Sequence, residues 1–181
     1  MLKVISLMGA PGTGKSTLAH GLFYFIRCQF PYIRAEFVSE YAKEMVWRRE
    51  PFLSQSYISG NQFNRVKILE DKVDLVVNEC AILNGLFYRE TWDHFGMKDA
   101  LWGLHDNSDN YIVHTGPLPK QFEEAGRNKG YEESLEIYKE GIALAAGMSS
   151  SRDTLLDEFT LASTVLNKII ENGFLDGLIR K

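Results

Sequence analysis

Cysteine is scarce in this chain: 181 residues carry two, Cys28 and Cys80. Two thiols so placed make neither a disulfide framework nor a zinc spacing, so the chain reads as one that folds in a reducing interior. An excess of basic residues is missing as well, with 20 Lys and Arg against 24 Asp and Glu and a formal net charge of −4. A large constitutive nucleic-acid surface normally shows as a basic patch or stripe, and this balance does not indicate one. A small basic cleft for a phosphorylated ligand remains compatible with it. No apolar run approaches the ~18 residues of a membrane span. The apolar stretch from Met1 to Met8 is too short for a signal peptide and runs directly into a glycine loop. A soluble, cytoplasmic protein with no membrane partner is expected. Linkers, repeats and low-complexity runs are also lacking, so residues 1–181 read as one domain. The 45% of apolar residues suffices for a proper core.

Apolar periodicity supplies the elements. Leu2 to Met8 reads as a short buried strand bounded by Gly9. Leu18, Leu22, Phe25 and Ile26 then recur at helical spacing, giving a helix over 15–27. Residues 35–38 form a plausible second strand, ending at Ser39-Glu40. Helices follow over 40–50 and 54–72, the second with a stripe of Ile58, Phe63, Val66 and Leu69. Val73 to Val77 and Tyr111 to His114 are further strands, and a helix over 81–88 follows the first of them. Leu135, Tyr138, Ile142 and Ala145 mark a helix stopped by Gly147, and Leu155-Leu156 opens a short last strand. A final helix carrying Leu161, Val165, Leu166 and Ile169 stops at Asn172-Gly173. Strands alternating with helices predict an α/β fold, with about five parallel strands covered by helices on both faces.

Gly9-Ala10-Pro11-Gly12-Thr13-Gly14-Lys15-Ser16 satisfies G-x-x-x-x-G-K-[ST] in full. Composition alone produces such a match in roughly one chain in a hundred of this length. Here it also follows an apolar strand and opens a helix, the context that makes it a phosphate loop. Glycines let backbone N–H groups curl round a phosphate, and the helix beginning at Lys15 adds its positive end. Lys15 is expected to reach the β- and γ-phosphates of ATP, Ser16 to coordinate Mg²⁺, and Thr17 to lie near the α-phosphate. The whole loop, including Gly9, Pro11, Gly12, Thr13 and Gly14, is the nucleotide cradle. No Asn-Lys-x-Asp guanine motif appears, which favours ATP over GTP.

Such a loop needs an acid near the metal, at the end of a strand beside the first. Asn78 stands where a nucleoside-triphosphate hydrolase would place its Asp and supplies no carboxylate, so Glu79 is the metal-site acid; the plainer alternative is an exposed cap of the next helix. Ligands of parallel sheets bind at the carboxyl ends of strands. Glu40 therefore faces the site, to hold an acceptor hydroxyl in line or take its proton, unless it merely caps helix 40–50. Tyr41, Lys43, Gln62 and Arg65 are candidate acceptor contacts, with a solvated helix face or core packing as the alternatives. Trp47 could stack on a planar acceptor. Residues 116–131 read as a lid: Gly126 and Gly130 flank Arg127 and Lys129, and Arg127 would stabilise charge on a moving phosphoryl group as the loop closes. His20, His94, His105 and His114 lack metal spacing. Trp92 and Trp102 fall in a segment, 91–110, without a legible role.

Taken together these positions resemble the P-loop kinase family that includes the kinase domain of nicotinamide riboside kinases and small phage-encoded nucleoside- or nucleotide-kinase-like ATPases. The matching pieces are residues 9–17, Ser39-Glu40-Tyr41-Ala42-Lys43, Gln62 to Arg65, Val73 to Val77, and Gly126-Arg127. The family's third strand usually ends in an Asp-containing turn, where this chain has Glu79-Cys80-Ala81. The resemblance implies a three-layer P-loop NTPase fold. It also implies an ATP- and Mg²⁺-dependent phosphotransferase, with Lys15, Glu40, Glu79 and Arg127 as its catalytic groups. The acceptor would be a nucleoside, nucleotide or nicotinamide riboside. Two alternatives stay open: a kinase for a hydroxyl of DNA or a modified base, and a non-catalytic nucleotide-binding regulatory module or ATPase.

Overall fold

A computed structural model describes residues 1–51, 54–88, 96–119, 122–148, 153–156 and 160–179. Trp92, His94, Lys120 and Gln121, and the side chains at 142, 145 and 155, lie outside the described residues. Five strands form one sheet: β1 (Lys3–Met8), β2 (Ala35–Val38), β3 (Leu75–Asn78), β4 (Asp109–His114) and β5 (Asp153–Leu155). Every pairing is parallel, in the order β2-β3-β1-β4-β5, which places β1 at the centre. The expected α/β architecture and its strand count are both present.

β1 alternates between two cores because successive side chains leave a strand on opposite faces. Ile5 and Leu7 join Leu75, Val77, Tyr111 and Val113 on one face. There they pack under α1 (Lys15–Gln29) and α6 (Ala162–Glu171), through Leu18, Leu22, Ile26, Val165, Leu166 and Ile169. On the other face, Leu2 and Val4 meet Val38, Val76 and Val66. Val66 belongs to α3 (Gln55–Lys67), which follows α2 (Tyr41–Arg48). Met8 and Ile112 pack with Ile82, Leu83, Leu86 and Phe87 and with Leu101 of α4 (Met97–His105). Between β4 and β5 lies α5 (Tyr131–Met148), which runs one residue beyond Gly147.

Several boundaries differ from the pattern-based expectation, each for a local reason. β3 begins at Leu75 because Asp74 is occupied before the ladder starts: its carboxylate accepts from the Arg34 backbone N–H at 2.9 Å and from the guanidinium at 2.6 and 3.1 Å. The helix expected over 54–72 ends at Lys67, and the chain turns through a left-handed Asp71 at φ 62°. The stretch after β3 is a 3₁₀ helix, Ile82–Phe87, with every residue buried. The final helix stops at Asn172-Gly173 as expected, with Gly173 at φ 77°.

Candidate active site

Parallel strands deliver their carboxyl ends to one edge of the sheet. Gly9, Glu40, Glu79 and Thr115 follow β1, β2, β3 and β4 there. Sheet-like bonds carry on past the strands, from Glu79 N to Val38 O (2.9 Å), Ala81 N to Leu7 O (2.7 Å) and Thr115 N to Met8 O (2.7 Å). Those bonds fix the loops that leave the edge.

The glycine loop is braced from beneath. Gly9 N donates to Asn84 Oδ1 at 2.9 Å. Thr13 Oγ1 bonds Ala10 O at 2.9 Å and Thr115 Oγ1 at 2.7 Å. Gly14, left-handed at φ 83°, turns the chain into α1. Lys15 is buried, and its ammonium donates to Gly9 O (2.9 Å) and Ala10 O (3.0 Å) of its own loop. Pro11, Gly12, Gly14, Lys15, Ser16 and Thr17 line a cavity of about 630 Å³. Thr13 points inward and serves the loop's shape.

Glu79 is buried, not an exposed cap. One carboxylate oxygen accepts from Ser16 Oγ, and the other from the Glu40 backbone N–H at 3.1 Å. A hydroxyl and a carboxylate meeting beside a phosphate loop is the donor set that Mg²⁺ takes, since it prefers one or two hard oxygen ligands plus phosphate and water. The residues present therefore fit the ion. Among the described residues no larger cluster of metal-ligating side chains occurs. Glu40 stands at the N-cap position of α2, yet its side chain makes no capping bond and lines the cavity. Its charge is felt by two neighbours. Burial pushes the Cys80 thiol well above its ordinary range, with Glu40 and Glu79 adding to the rise and Lys15 opposing it. The Tyr88 phenol is raised in the same way, by burial first and then by Glu40 and Cys80.

The four expected acceptor contacts divide. Lys43 lines the cavity, and its ammonium lies 3.5 Å from Ser16 Oγ. Arg65 does not reach the cavity: it is ion-paired with Glu44, bonds Ser39 Oγ at 3.1 Å and lies over the Tyr41 ring at 4.9 Å. Tyr41 is a core residue, with its ring under Arg65 and its hydroxyl donating to Tyr57 at 2.9 Å. Gln62 borders the cavity, but its amide is consumed inside the protein, by Tyr41 N (2.7 Å), Ser39 O (3.2 Å) and Asn78 Oδ1 (2.8 Å). Helical spacing put these groups on the right helices and left open which side each faced.

The loop before α5 lies over the opening. Phe122 sits against Gly12, where any Cβ would collide with its ring, and the Arg127 guanidinium lies 4.7 Å above the same ring. Gly126, left-handed at φ 74°, rests on Trp47; a Cβ there would approach the indole to 2.7 Å. Arg127 lines the cavity with a buried Nη1 that has no hydrogen-bond partner among the described residues. A charged hydrogen bond is worth about 1.5–3 kcal/mol, so this N–H has bonding capacity left for a group in the cavity. Lys129, by contrast, is spent on Glu133 at 2.9 Å.

Comparison with solved structures places this arrangement. The chain resembles NadR protein in complex with NAD and AMP-PNP, with a TM-score of 0.68, 18% identity and 99% of this chain covered. Kti12 of Chaetomium thermophilum in complex with ADP-AlF3 follows at TM-score 0.56 and 15% identity, covering 93% of this chain and 98% of that one. Shikimate kinase from Acinetobacter baumannii in complex with shikimate gives 0.55 and 14%, covering 99% and 97%. The chain shares the fold of these structures. The chain spans 51% of the NadR chain's length. No family model and no curated protein matches the sequence.

Within that fold, several residues at the site escaped the sequence reading. Asn84 stands alone as a polar residue in the apolar run 82–87, and that isolation was its signal. Thr115 immediately follows a strand beside β1, so topology could have found it. Gln55 and Ser59, buried on α3, line the cavity opposite Gly85 and carry no local signature. Neither does the acidic face of α5, where Glu133, Glu136 and Glu140 border the cavity.

Proposed function

We propose that this protein is an ATP-dependent kinase that transfers the γ-phosphoryl group to a hydroxyl of a small nucleoside-like acceptor. The observation that carries the reading is the meeting of Ser16 Oγ and the buried Glu79 carboxylate beside the phosphate loop, with Glu40 held alongside. Ser16 and Glu79 would hold Mg²⁺, which when bound offsets charge on the phosphates. Lys15 exchanges its two loop carbonyls for β- and γ-phosphate oxygens. Glu40 aligns the acceptor hydroxyl and accepts its proton. The hydroxyl oxygen forms a bond to the γ-phosphorus as the bond from that phosphorus to the bridging oxygen breaks, and ADP leaves. Arg127 meets the charge on the moving group, and residues 116–131 act as the lid that excludes water.

The far wall narrows the acceptor. Glu136 and Glu140 border the cavity, while Arg65 is engaged elsewhere and Lys129 and Glu133 neutralise each other. After ATP occupies Lys15, Lys43 and Arg127, little positive charge remains for a second phosphate. An unphosphorylated acceptor of the nucleoside or nicotinamide riboside kind fits that wall better than a nucleotide. DNA fits it less well again, because like charges repel across so small a cavity.

The test is ADP release from ATP and Mg²⁺ across a panel of nucleosides, nucleotides, nicotinamide riboside and short DNAs, with Lys15→Ala as control. One class of unphosphorylated acceptor is expected to raise release, and the control to abolish it. ATP binding without any acceptor-stimulated turnover would instead make the protein a nucleotide-binding module.

A further inference from the structure

One buried side chain touches both of the turns that carry the site's carboxylates. Gln62, on α3, is 3% exposed. Its Oε1 accepts from Tyr41 N at 2.7 Å, and its Nε2 donates to Ser39 O at 3.2 Å and to Asn78 Oδ1 at 2.8 Å. Ser39 and Tyr41 flank Glu40, and Asn78 precedes Glu79. Asn78 extends the link: its Nδ2 donates to Cys80 O at 2.8 Å, so the residues on both sides of Glu79 are tied together. A carboxamide has one carbonyl and two N–H groups, and each is used here to join one carboxylate turn to the other.

Docking of α3 does not need these bonds. Val66 already packs into the sheet with Val4, Val38 and Val76, and Arg65 already clasps Glu44 on α2 and Ser39 in the turn before it. What the Gln62 amide adds is a fixed spacing between the Glu40 turn and the Glu79 turn. We infer that Gln62 is a positioning residue whose amide locks the two turns together and so aims the Glu79 carboxylate at Ser16. The inference rests on reading Ser16 and Glu79 as the magnesium pair. It is independent of which molecule accepts the phosphoryl group.

Two substitutions in the full chain test it. Gln62→Met keeps the length of the side chain and removes all three bonds. Gln62→Glu keeps an oxygen for Tyr41 N and removes the amide donor. Calorimetry then measures ATP binding without metal, and as a function of Mg²⁺ with no acceptor present. Outer-shell partners of a metal site typically contribute 10–100-fold, so the Mg²⁺ requirement is expected to rise about tenfold or more in both variants while metal-free ATP affinity stays within about twofold. An unchanged Mg²⁺ requirement in both overturns the proposal. Loss of metal-free ATP binding in both also overturns it, because Gln62 is then a brace of the fold. A wild type indifferent to Mg²⁺ removes the Ser16–Glu79 pairing and the proposal with it. A wild type that binds Mg²⁺-ATP yet phosphorylates nothing fails the kinase reading alone.

Discussion

Glu79 owes its orientation to two donors, Ser16 Oγ and Glu40 N, and to the ties on either side of it. Removing its charge while keeping its shape isolates its contribution. Glu79→Gln is expected to lower kcat roughly 10²–10³-fold, in the range of a lost electrostatic contact in a transition state, with metal-free ATP binding unchanged. Kinetics beside calorimetry would check this, and a variant as active as the wild type would remove Glu79 from the metal site. A second residue, Asp74, reports on stability instead of chemistry. Hydrogen bonds from the Arg34 side chain and then its backbone hold its carboxyl below the usual range. A depressed folded-state pKa gives stability that is present above the unfolded carboxyl range near ~3.9 and is lost as pH falls through the folded value. Asp74→Asn should therefore be less stable than the wild type at neutral pH, and the gap should narrow on acidification. Urea midpoints across that range measure it; parallel curves for the two proteins would contradict it. At this scale the loop was legible, because Lys15, Ser16 and the glycines have few other uses in that order, whereas Glu79 was one of two readings until its burial against Ser16 was seen. Gln62 and Arg65 were placed on the correct helix, but a periodicity does not say which of two neighbouring polar groups a long side chain will choose.

At the scale of elements, the strands and the helices α1, α3, α5 and α6 were legible from apolar spacing; α1, α3 and α6 bury apolar residues against the sheet. Their ends were less so. The start of β3 was decided by the clasp of Asp74 on Arg34, partners 40 residues apart in sequence. The segment after β3 became a 3₁₀ helix buried on all sides, which periodicity does not distinguish from one α-helical face. The loop before α5 is the element whose contacts bear most on function. Its Gly126 combines a left-handed backbone with close approach to Trp47, so Gly126→Ala is disfavoured on both counts. The expected result is a fall of roughly tenfold in kcat with ATP affinity little changed, as for a lid that closes less completely. Steady-state kinetics with a binding titration separates the two parameters. Loss of ATP affinity with kcat preserved would assign the loop to nucleotide binding instead of closure.

Across the whole molecule, the parallel sheet gathers four loops at one edge, and the helices on both faces leave that edge open. The cavity of about 630 Å³ between the phosphate loop, α2, α3 and α5 lies within the ~300–1,000 Å³ usual for small-molecule sites. Its lining carries both signs, with Lys15, Lys43 and Arg127 as well as Glu40, Glu136 and Glu140. Net composition hid that local arrangement, because −4 is a sum over the whole chain. Among the described residues, no helix is long and apolar enough to cross a membrane. The central claim is that the γ-phosphoryl group passes to an acceptor hydroxyl and not to water. Following label from γ-labelled ATP in the presence of the most stimulating acceptor tests this directly. The account predicts label on the acceptor, in step with ADP and absent with Lys15→Ala. Label recovered wholly as inorganic phosphate would contradict it and make the protein an ATPase.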